Sequence, residues 1–316
     1  MHIPDGFLGA GTLASTAVIA TGSLVLALRA VRRSLPARRV PLVGLTAAFI
    51  FAAQMLNFPV AAGTSGHLIG AALATVLLGP AAAIVAMTAV LMLQSLMFAD
   101  GGILALGANV LNLAVIAPLV AHLVYRAVRP LAGGGERGAL LAAGFAAWCS
   151  TVVAALACAV ELAASGIVGL KAAVYAMGGV HMLIGLGEGV ITMLVLAVVA
   201  RARPELLVTD IRPTARPLRA MAAGAVLVTA LLVLAAPFAS QLPDGLERVA
   251  DDFRFSAKAT ATAAAPLRDY SLSSLAYESP WLGAVIAGAI GAMVAYAAAW
   301  AVARALSPPD RGASSR

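Results

Sequence analysis

Charge is what this sequence lacks most. Asp, Glu, Lys and Arg make up only 11% of its 316 residues, whereas a soluble globular domain carries about 25%. So few charges cannot cover a water-exposed surface, which excludes an ordinary soluble domain. The long uncharged runs also exclude the strands of a membrane barrel, which need only about 10 residues each. Helices remain as the structure that crosses a bilayer with every backbone polar group paired.

Reactive motifs are equally scarce. The two cysteines, Cys149 and Cys158, lie in one apolar run, where their spacing allows neither a disulfide within a helix nor a metal-ligand motif. We interpret them as packing residues. The sequence has no GxxxxGK[ST] phosphate loop, no HExxH and no GxSxG. We therefore do not expect the chain to bind ATP through a phosphate loop.

Basic residues are absent before the first apolar run, at 8–28, and a group of arginines follows it. A secretory signal peptide has the opposite order, with its positive charges first. We therefore expect the N-terminus to be retained, so that Met1 and His2 stay part of the protein.

The apolar segments predict an all-α, polytopic transmembrane bundle of about nine spans. They cover approximately residues 8–28, 40–58, 67–78, 81–98, 103–125, 139–165, 173–200, 220–239 and 281–302. Only Gly79-Pro80 separates the third segment from the fourth. A single helix over 67–98 would be about 48 Å long, against a bilayer core of about 30 Å. Two short helices that meet at this turn fit better.

The arginines and lysines predict the orientation. With nine spans, the N-terminus outside and the C-terminus cytoplasmic, 16 of the 21 basic residues lie on the cytoplasmic side. Fusing the third and fourth segments would move the basic cluster at 126–137 outside, against the positive-inside rule. The net charge of +7 thus indicates membrane topology, and we expect lipid and no nucleic acid as a partner.

Composition divides the chain into two parts. Residues 1–203 predict a compact bundle of seven segments with short connections. Residues 204–217 contain prolines and charges and predict a cytoplasmic linker. Residues 218–316 predict two more spans around a polar extracytoplasmic loop, 240–280.

The dipeptide Met1-His2 offers a chelating group. Its α-amine, the amide nitrogen of residue 2 and the imidazole can bind one metal ion through fused five- and six-membered rings, once the amine is unprotonated. Such a planar nitrogen set suits Ni²⁺ or Cu²⁺, but it needs one further nitrogen. The alternative is that His2 is an incidental interfacial residue.

His67 is a candidate for that further nitrogen. It opens the third segment on the predicted outer side, the same side as Met1. A histidine that enters a membrane helix is costly unless it is paired, so its position indicates a functional site. The alternative is that His67 caps the helix or lies at the membrane interface.

Further polar residues lie inside the apolar segments. His181 and Glu188 are seven apart and share a helix face, and a carboxylate near the middle of a span must be paired or protonated. We interpret Glu188 as a structural anchor between helices or as a group near the metal, and His181 as a supporting or transit group. Gln94, Asn109 and Asn112 are of the kind that orients histidine ligands.

These residues lie in stretches that resemble the substrate-binding (S) components of nickel and cobalt energy-coupling-factor transporters, the NikM/CbiM type. The matching stretches are Met1-His-Ile-Pro-Asp-Gly-Phe7, Asn57-Phe-Pro59, Gly63-Thr-Ser-Gly-His-Leu68, Leu78-Gly-Pro80, Phe98-Ala-Asp-Gly-Gly102, Gly107-Ala-Asn-Val-Leu-Asn112 and His181 to Thr192. The outer loop, with Pro243-Asp-Gly-Leu-Glu-Arg-Val249, resembles the small accessory N component (NikN/CbiN). The chain thus looks like a fusion of the two.

The resemblance implies a multi-pass protein of a prokaryotic inner membrane that captures a divalent metal outside the cell. The ligands would be the Met1 amine, the amide and imidazole of His2, and the imidazole of His67. Ni²⁺ is the expected substrate, with Co²⁺ as second choice. The expected partners are a transmembrane coupling (T) component and ATPase (A) subunits, in agreement with the missing phosphate loop.

Two other function classes stay open. An intramembrane metal-dependent enzyme would use His67, His181 and Glu188, with a general base beside a metal-bound water. A four-nitrogen site leaves no obvious open position in its plane, which argues against such an enzyme. A passive divalent-metal channel would move the metal without ATP.

Overall fold

The structure, a computed structural model, describes residues 1–61, 63–133, 135–203, 206, 224, 228, 230, 233–260, 265–271 and 279–307. Its α-helices are α1 (Ala10–Ser34), α2 (Val40–Gln54), α3 (Ala71–Leu78), α4 (Pro80–Leu93), α5 (Leu106–Asn109), α6 (Ala117–Val128), α7 (Gly135–Ala164), α8 (Leu170–Ala202), α9 (Gly245–Asp252) and α10 (Pro280–Leu306). Two short strands, β1 (Phe58–Pro59) and β2 (Ser65–Gly66), pair antiparallel between α2 and α3. The all-α prediction is confirmed.

The described residues also form shorter helical turns. Two π-helical stretches, Gln94–Phe98 and Val110–Ile116, continue α4 and join α5 to α6. The 3₁₀ helices are Ala37–Arg39, Ala236–Phe238, Ser256–Lys258 and Arg268–Tyr270. The last two of these, with α9, belong to the predicted extracytoplasmic loop.

Six helical stretches in the described part of the chain are long and apolar enough to cross a membrane. They are Ala10–Ser34, Pro80–Phe98, Leu106–Val128, Gly135–Ala164, Leu170–Ala202 and Trp281–Leu306. Of the other predicted segments, α2 has 15 residues and α3 has 8, and 220–239 lies largely outside the described residues, as does the linker 204–217. The polytopic architecture is confirmed, while the count of nine, the orientation and the domain boundaries stay predictions.

The chain turns sharply between α3 and α4, where the sequence predicts a break. Gly79 has a φ of +80°, in the left-handed region that glycine adopts without a steric penalty. Pro80 then begins α4, a position where its missing N–H is not needed.

The third segment is helical over only part of its predicted length. Residues 64–75 are all buried, but helix α3 begins only at Ala71. Non-helical backbone at membrane depth is stable only where protein groups satisfy its N–H and C=O groups. Residues 65–70 therefore depend on side chains from other helices.

Small residues allow the long helices to pack closely. A Cβ on Gly189 of α8 would lie 2.8 Å from the carbonyl oxygen of Gly144 on α7. Helix α10 packs against α2, where a Cβ on Gly44 would lie 3.0 Å from Tyr296. Such close approach is typical of membrane helices, whose association depends on van der Waals contact. The C-terminal part is thus joined directly to the bundle.

Candidate metal centre

Residues 1–9 precede α1 and fold back into the protein. The side chains of Met1, Ile3 and Phe7 are buried. The Asn109 side chain hydrogen-bonds both backbone groups of Ile3, and the Gly102 N–H donates to the Ile3 carbonyl at 2.9 Å. The N-terminal segment is therefore held by residues about a hundred positions along the chain.

Asp5 anchors the same segment at a second point. Its carboxylate accepts the backbone N–H groups of Ile103 at 3.2 Å and Ala105 at 3.0 Å. Its carbonyl oxygen accepts the N–H of Thr260 at 2.8 Å. The loop 240–280 of the C-terminal part, which is predicted to be extracytoplasmic, thus also contacts the N-terminal segment.

The Met1 amine lies between a histidine and a carboxylate. Its nitrogen is 2.7 Å from Nε2 of His67 and 2.5 Å from Oδ2 of Asp244. Nδ1 of His67 donates to the carbonyl of Leu68 at 3.3 Å. This contact leaves the lone pair of the His67 ring on Nε2, the atom that faces the amine.

Groups from two helices and from the segment before α9 fix the stretch that carries His67. The Glu188 carboxylate of α8 accepts the N–H groups of Ile69 at 2.6 Å and Gly70 at 2.8 Å. The Gln54 side chain of α2 donates to the Ile69 carbonyl at 2.8 Å. At the other end, the Ser65 N–H donates to the carbonyl of Pro243 at 2.8 Å, next to α9. These contacts replace the helical hydrogen bonds that residues 65–70 lack.

His2 lies against His67. The two rings are stacked, with centroids 5.0 Å apart and an angle of 17° between their planes. Nδ1 of His2 lies 3.1 Å from Oδ1 of Asp100. Its Nε2 is buried and has no hydrogen-bond partner among the described residues, and Gln94 lies beside the ring. The first two residues and His67 are thus brought together.

Burial and charge set the protonation of the groups around the amine. Burial, and then the positive amine, lower the pKa of His2 to about 3, so the imidazole is neutral near pH 7 and keeps a lone pair for a metal. Burial alone would raise the pKa of Asp244, but the amine outweighs it and holds that pKa below its ordinary value. Asp244 is therefore an ionised carboxylate beside the amine.

His181 lines the same small cavity as Met1, His67 and Asp244. Its Nδ1 donates to the carbonyl of Met177 one turn earlier in α8, at 2.8 Å. Gly245 packs on the other side of the ring, because a Cβ on it would lie 2.6 Å from Cε1 of His181. His181 is thus close to the centre without a direct contact to the amine in the described structure.

The remaining polar residues fall into two groups. Asn109 holds the N-terminal segment and Glu188 holds the His67 stretch. The Gln94 side chain lies beside the His2 ring. Asn112 instead donates to the Glu161 carboxylate at 2.8 Å, away from the N-terminal segment. The Glu188 carboxylate accepts two backbone N–H groups, and its role at the centre stays a prediction.

Sequence reasoning did not assign a role at the centre to Asp100, Asp244 or Tyr270. The Tyr270 hydroxyl donates to Oδ2 of Asp100 at 2.5 Å, and Oδ1 of the same carboxylate faces His2. The sequence did contain a signal for a role of Asp100 and Asp244, because each lies next to a glycine in one of the stretches that resemble the family. Nothing in the sequence connects Tyr270 to residue 100.

Across the described ranges, no three His, Cys, Asp or Glu side chains form a group that could hold a metal ion. The candidate centre has only the two imidazoles of His2 and His67, and its other nitrogen donors are the terminal amine and a backbone amide. Such a centre depends on the position of the N-terminus.

Two known families match the chain. The family described as cobalt uptake substrate-specific transmembrane region matches residues 2–206. The PDGLE domain matches residues 218–308. The first match covers more than half of the chain.

Several similar proteins are named as metal transport proteins. A putative fused nickel transport protein NikMN of Archaeoglobus fulgidus is 38% identical over 310 residues, 96% of this chain and 98% of that protein. The fused nickel transport protein NikMN of Rhodobacter capsulatus is 38% identical over 229 residues, 68% of this chain and 66% of that protein. The cobalt transport protein CbiM of Geobacter sulfurreducens is 33% identical over 219 residues, 66% of this chain and 61% of that protein.

A solved structure is also similar. The crystal structure of a truncated transition metal transporter is 36% identical to this chain, with a TM-score of 0.59. The match covers 64% of this chain and 99% of that one. The predicted resemblance to a NikM/CbiM–NikN fusion is confirmed. The chain belongs to the cobalt uptake substrate-specific transmembrane family, carries a PDGLE domain in its C-terminal part, and is a multi-pass metal transport protein rather than an enzyme.

Proposed function

We propose that this chain is the substrate-binding subunit of an ATP-driven importer that captures Ni²⁺ on the extracytoplasmic side. The ligands are the Met1 amine, the amide and imidazole nitrogens of His2, and the imidazole of His67. The observation that carries this proposal is the distance of 2.7 Å between the amine and Nε2 of His67. Neighbouring ligands about 2 Å from a square-planar ion lie about 2.8 Å apart.

The chelate requires one particular ring nitrogen of His2. A six-membered ring with its amide nitrogen uses Nδ1, and this atom contacts Asp100. Metal coordination therefore replaces the contact with Asp100. Asp100 keeps its other partner, Tyr270.

A binding measurement on the purified chain tests the ligand set. Mass spectrometry first identifies the preparation that begins at Met1, and nickel binding is then titrated by calorimetry. One additional N-terminal alanine converts the amine into an amide and displaces His2, so we expect high-affinity binding to be lost. His67→Ala should weaken binding strongly, whereas His122→Ala, on α6, should not. Unchanged affinity in the extended chain would rule out this site.

The choice of metal is tested by competition. A planar set of nitrogens favours Ni²⁺, which accepts square-planar geometry, so we expect Ni²⁺ to displace bound Co²⁺ at equal concentrations. The nickel names of the fused relatives support the same choice. Displacement of nickel by an equal amount of cobalt would assign the site to cobalt.

The energy source is tested in vesicles. We propose that the chain works with a transmembrane coupling component and ATPase subunits, since it has no phosphate loop of its own. Nickel uptake into vesicles should require all components and ATP. Uptake by this chain alone, down a gradient and without ATP, would instead indicate a passive channel.

A further inference from the structure

Asp244 reaches the candidate metal centre from the C-terminal part. It is the N-cap of α9: Oδ1 accepts the N–H groups of Leu246 at 2.8 Å and Glu247 at 2.9 Å, and Glu247 accepts the N–H of Asp244 in return. This capping box fixes the side chain. The second oxygen, Oδ2, is left free of the cap and faces the Met1 amine.

The position of Asp244 is set by both parts of the chain. Ser65 donates its N–H to the carbonyl of Pro243 and its hydroxyl to the carbonyl of Leu242, at 2.8 Å and 2.7 Å. Ser65 lies two residues before His67. The stretch that carries His67 and the one that carries Asp244 are therefore held as one unit.

Three atoms have the spacing of ligands around one ion. The amine nitrogen of Met1 lies 2.7 Å from Nε2 of His67 and 2.5 Å from Oδ2 of Asp244, and these last two atoms are 3.9 Å apart. Around a square-planar ion, neighbouring ligands are about 2.8 Å apart and opposite ligands about 4 Å apart. The amine thus occupies a middle corner, with Nε2 and Oδ2 at opposite corners.

The corner opposite His67 is also the one that the His2 amide nitrogen requires. In the four-nitrogen set, the amine, the amide and the His2 imidazole follow one another around the plane, so the amide is opposite His67. The carboxylate oxygen of Asp244 is a ready ligand, whereas the amide must first lose its proton. The two donors are therefore suited to successive steps.

We propose that Asp244 is a metal ligand in a first complex, in which Oδ2, the Met1 amine and His67 Nε2 capture the incoming divalent ion. The His2 amide nitrogen then displaces Oδ2 and the four-nitrogen complex forms. The amine and the amide each release a proton to water as their bonds to the metal form. This inference rests on the proposed function and assigns a direct role in capture to the C-terminal part.

Two substitutions separate the effect of the Asp244 carboxylate charge on nickel binding from its effect as the N-cap of α9. Asp244→Asn removes the charge but keeps a good N-cap, whereas Asp244→Glu keeps the carboxylate and is a poor N-cap. The rate of nickel binding is measured by stopped-flow absorbance of the planar nitrogen complex. We expect Asp244→Asn to slow binding about tenfold or more, and Asp244→Glu to bind faster than Asp244→Asn.

Asp251→Asn is the matched control. Asp251 is exposed on the same helix, so its substitution removes the same charge without changing the centre. We expect a rate within a factor of about two of the unsubstituted chain, since an exposed charge acts weakly at a distance. If Asp244→Asn bound nickel as fast as Asp251→Asn, or faster than Asp244→Glu, Asp244 would not be a capture ligand.

The same data separate this inference from the proposed function. The unsubstituted chain and the chain with one additional N-terminal residue are measured in parallel. If both bind nickel equally, the four-nitrogen site itself is wrong. If the extension abolishes binding while Asp244→Asn leaves the rate unchanged, only the role of Asp244 is overturned.

Discussion

Asn109 and Ile3 are joined by two hydrogen bonds, although 106 residues separate them. The Ile3 N–H donates to Oδ1 of Asn109 at 2.8 Å, and Nδ2 of Asn109 donates to the Ile3 carbonyl at 3.0 Å. A single side-chain amide therefore satisfies both backbone groups of the residue that follows the proposed chelate. A metal centre built on a chain terminus needs such a fixed point, because termini are otherwise mobile.

Asn109→Ala removes both hydrogen bonds to Ile3 and should therefore weaken nickel binding. Each lost hydrogen bond is worth about 1 kcal/mol, or about 2 kcal/mol for the pair, which corresponds to about a thirtyfold rise in Kd. Calorimetric titration measures the change. The control is Asn112→Ala, on the same helical stretch, where Asn112 contacts Glu161 instead. Equal losses in both variants would show that Asn109 acts only through general stability.

Gly102→Ala should displace the N-terminal segment. A Cβ there would lie 1.9 Å from Oδ1 and 2.4 Å from the backbone nitrogen of Asp5, and overpacking of this kind destabilises a protein by about 1–3 kcal/mol. We expect a lower thermal unfolding midpoint in detergent and at least about a tenfold loss of nickel affinity. Gly22→Ala, where a Cβ meets nothing within 4 Å, should leave both quantities unchanged or slightly improved. A fully active Gly102→Ala chain would contradict the observed packing.

Glu188→Gln tests whether the Glu188 carboxylate holds the stretch that carries His67 in place. The carboxylate accepts two backbone N–H groups, from Ile69 and Gly70, and a glutamine has one oxygen for the two donors. One buried N–H then loses its acceptor, at a cost of about 1–3 kcal/mol. We expect weaker nickel binding and a lower unfolding midpoint.

Glu161→Gln is the control for this substitution. Glu161 accepts one hydrogen bond from Asn112, which the oxygen of a glutamine can also accept. We expect a smaller effect on nickel affinity than in Glu188→Gln. The reverse order of the two variants would show that Glu188 does not hold the His67 stretch.

The sequence predicted those features of the fold that local chemistry decides. Long apolar runs specify spanning helices because the bilayer core sets their length, and the described part of the chain contains six helices long and apolar enough to span. The turn at Gly79-Pro80 was predicted from two residues with restricted or special backbone preferences, and Gly79 has the positive φ that such a turn needs. These features involve no distant partner.

Features that depend on distant partners were not predicted. The apolar run at 67–78 predicts a helix, yet residues 67–70 are not helical, because Glu188 and Gln54 satisfy the backbone groups of Ile69 and Gly70. Likewise, the contact between Asp244 and the Met1 amine joins residues 243 positions apart. No hydrophobic periodicity encodes such pairs. The grouping of Met1, His2 and His67 as metal ligands came from the family resemblance, and it stays a prediction.

Gly245→Ala should disturb the centre through His181. A Cβ on Gly245 would lie 2.6 Å from Cε1 and 2.9 Å from Nε2 of this imidazole, so either the ring or helix α9 must move. Movement of α9 displaces Asp244, the residue that contacts the amine. We expect weaker nickel binding and a lower unfolding midpoint.

The double variant Gly245→Ala/His181→Ala shows whether the clash with the His181 imidazole causes the losses expected for Gly245→Ala. His181→Ala removes the ring that the new methyl group would meet, so its combination with Gly245→Ala should cost less than the sum of the two single changes. Residues in direct contact show coupling of about 0.5–3 kcal/mol in such cycles, and we expect at least about 1 kcal/mol. Thermal unfolding and calorimetric titration of the four chains give the value. Strict additivity would show that Gly245 and His181 do not pack against each other as described. The position of α9 beside the amine would then not depend on contact with the His181 ring.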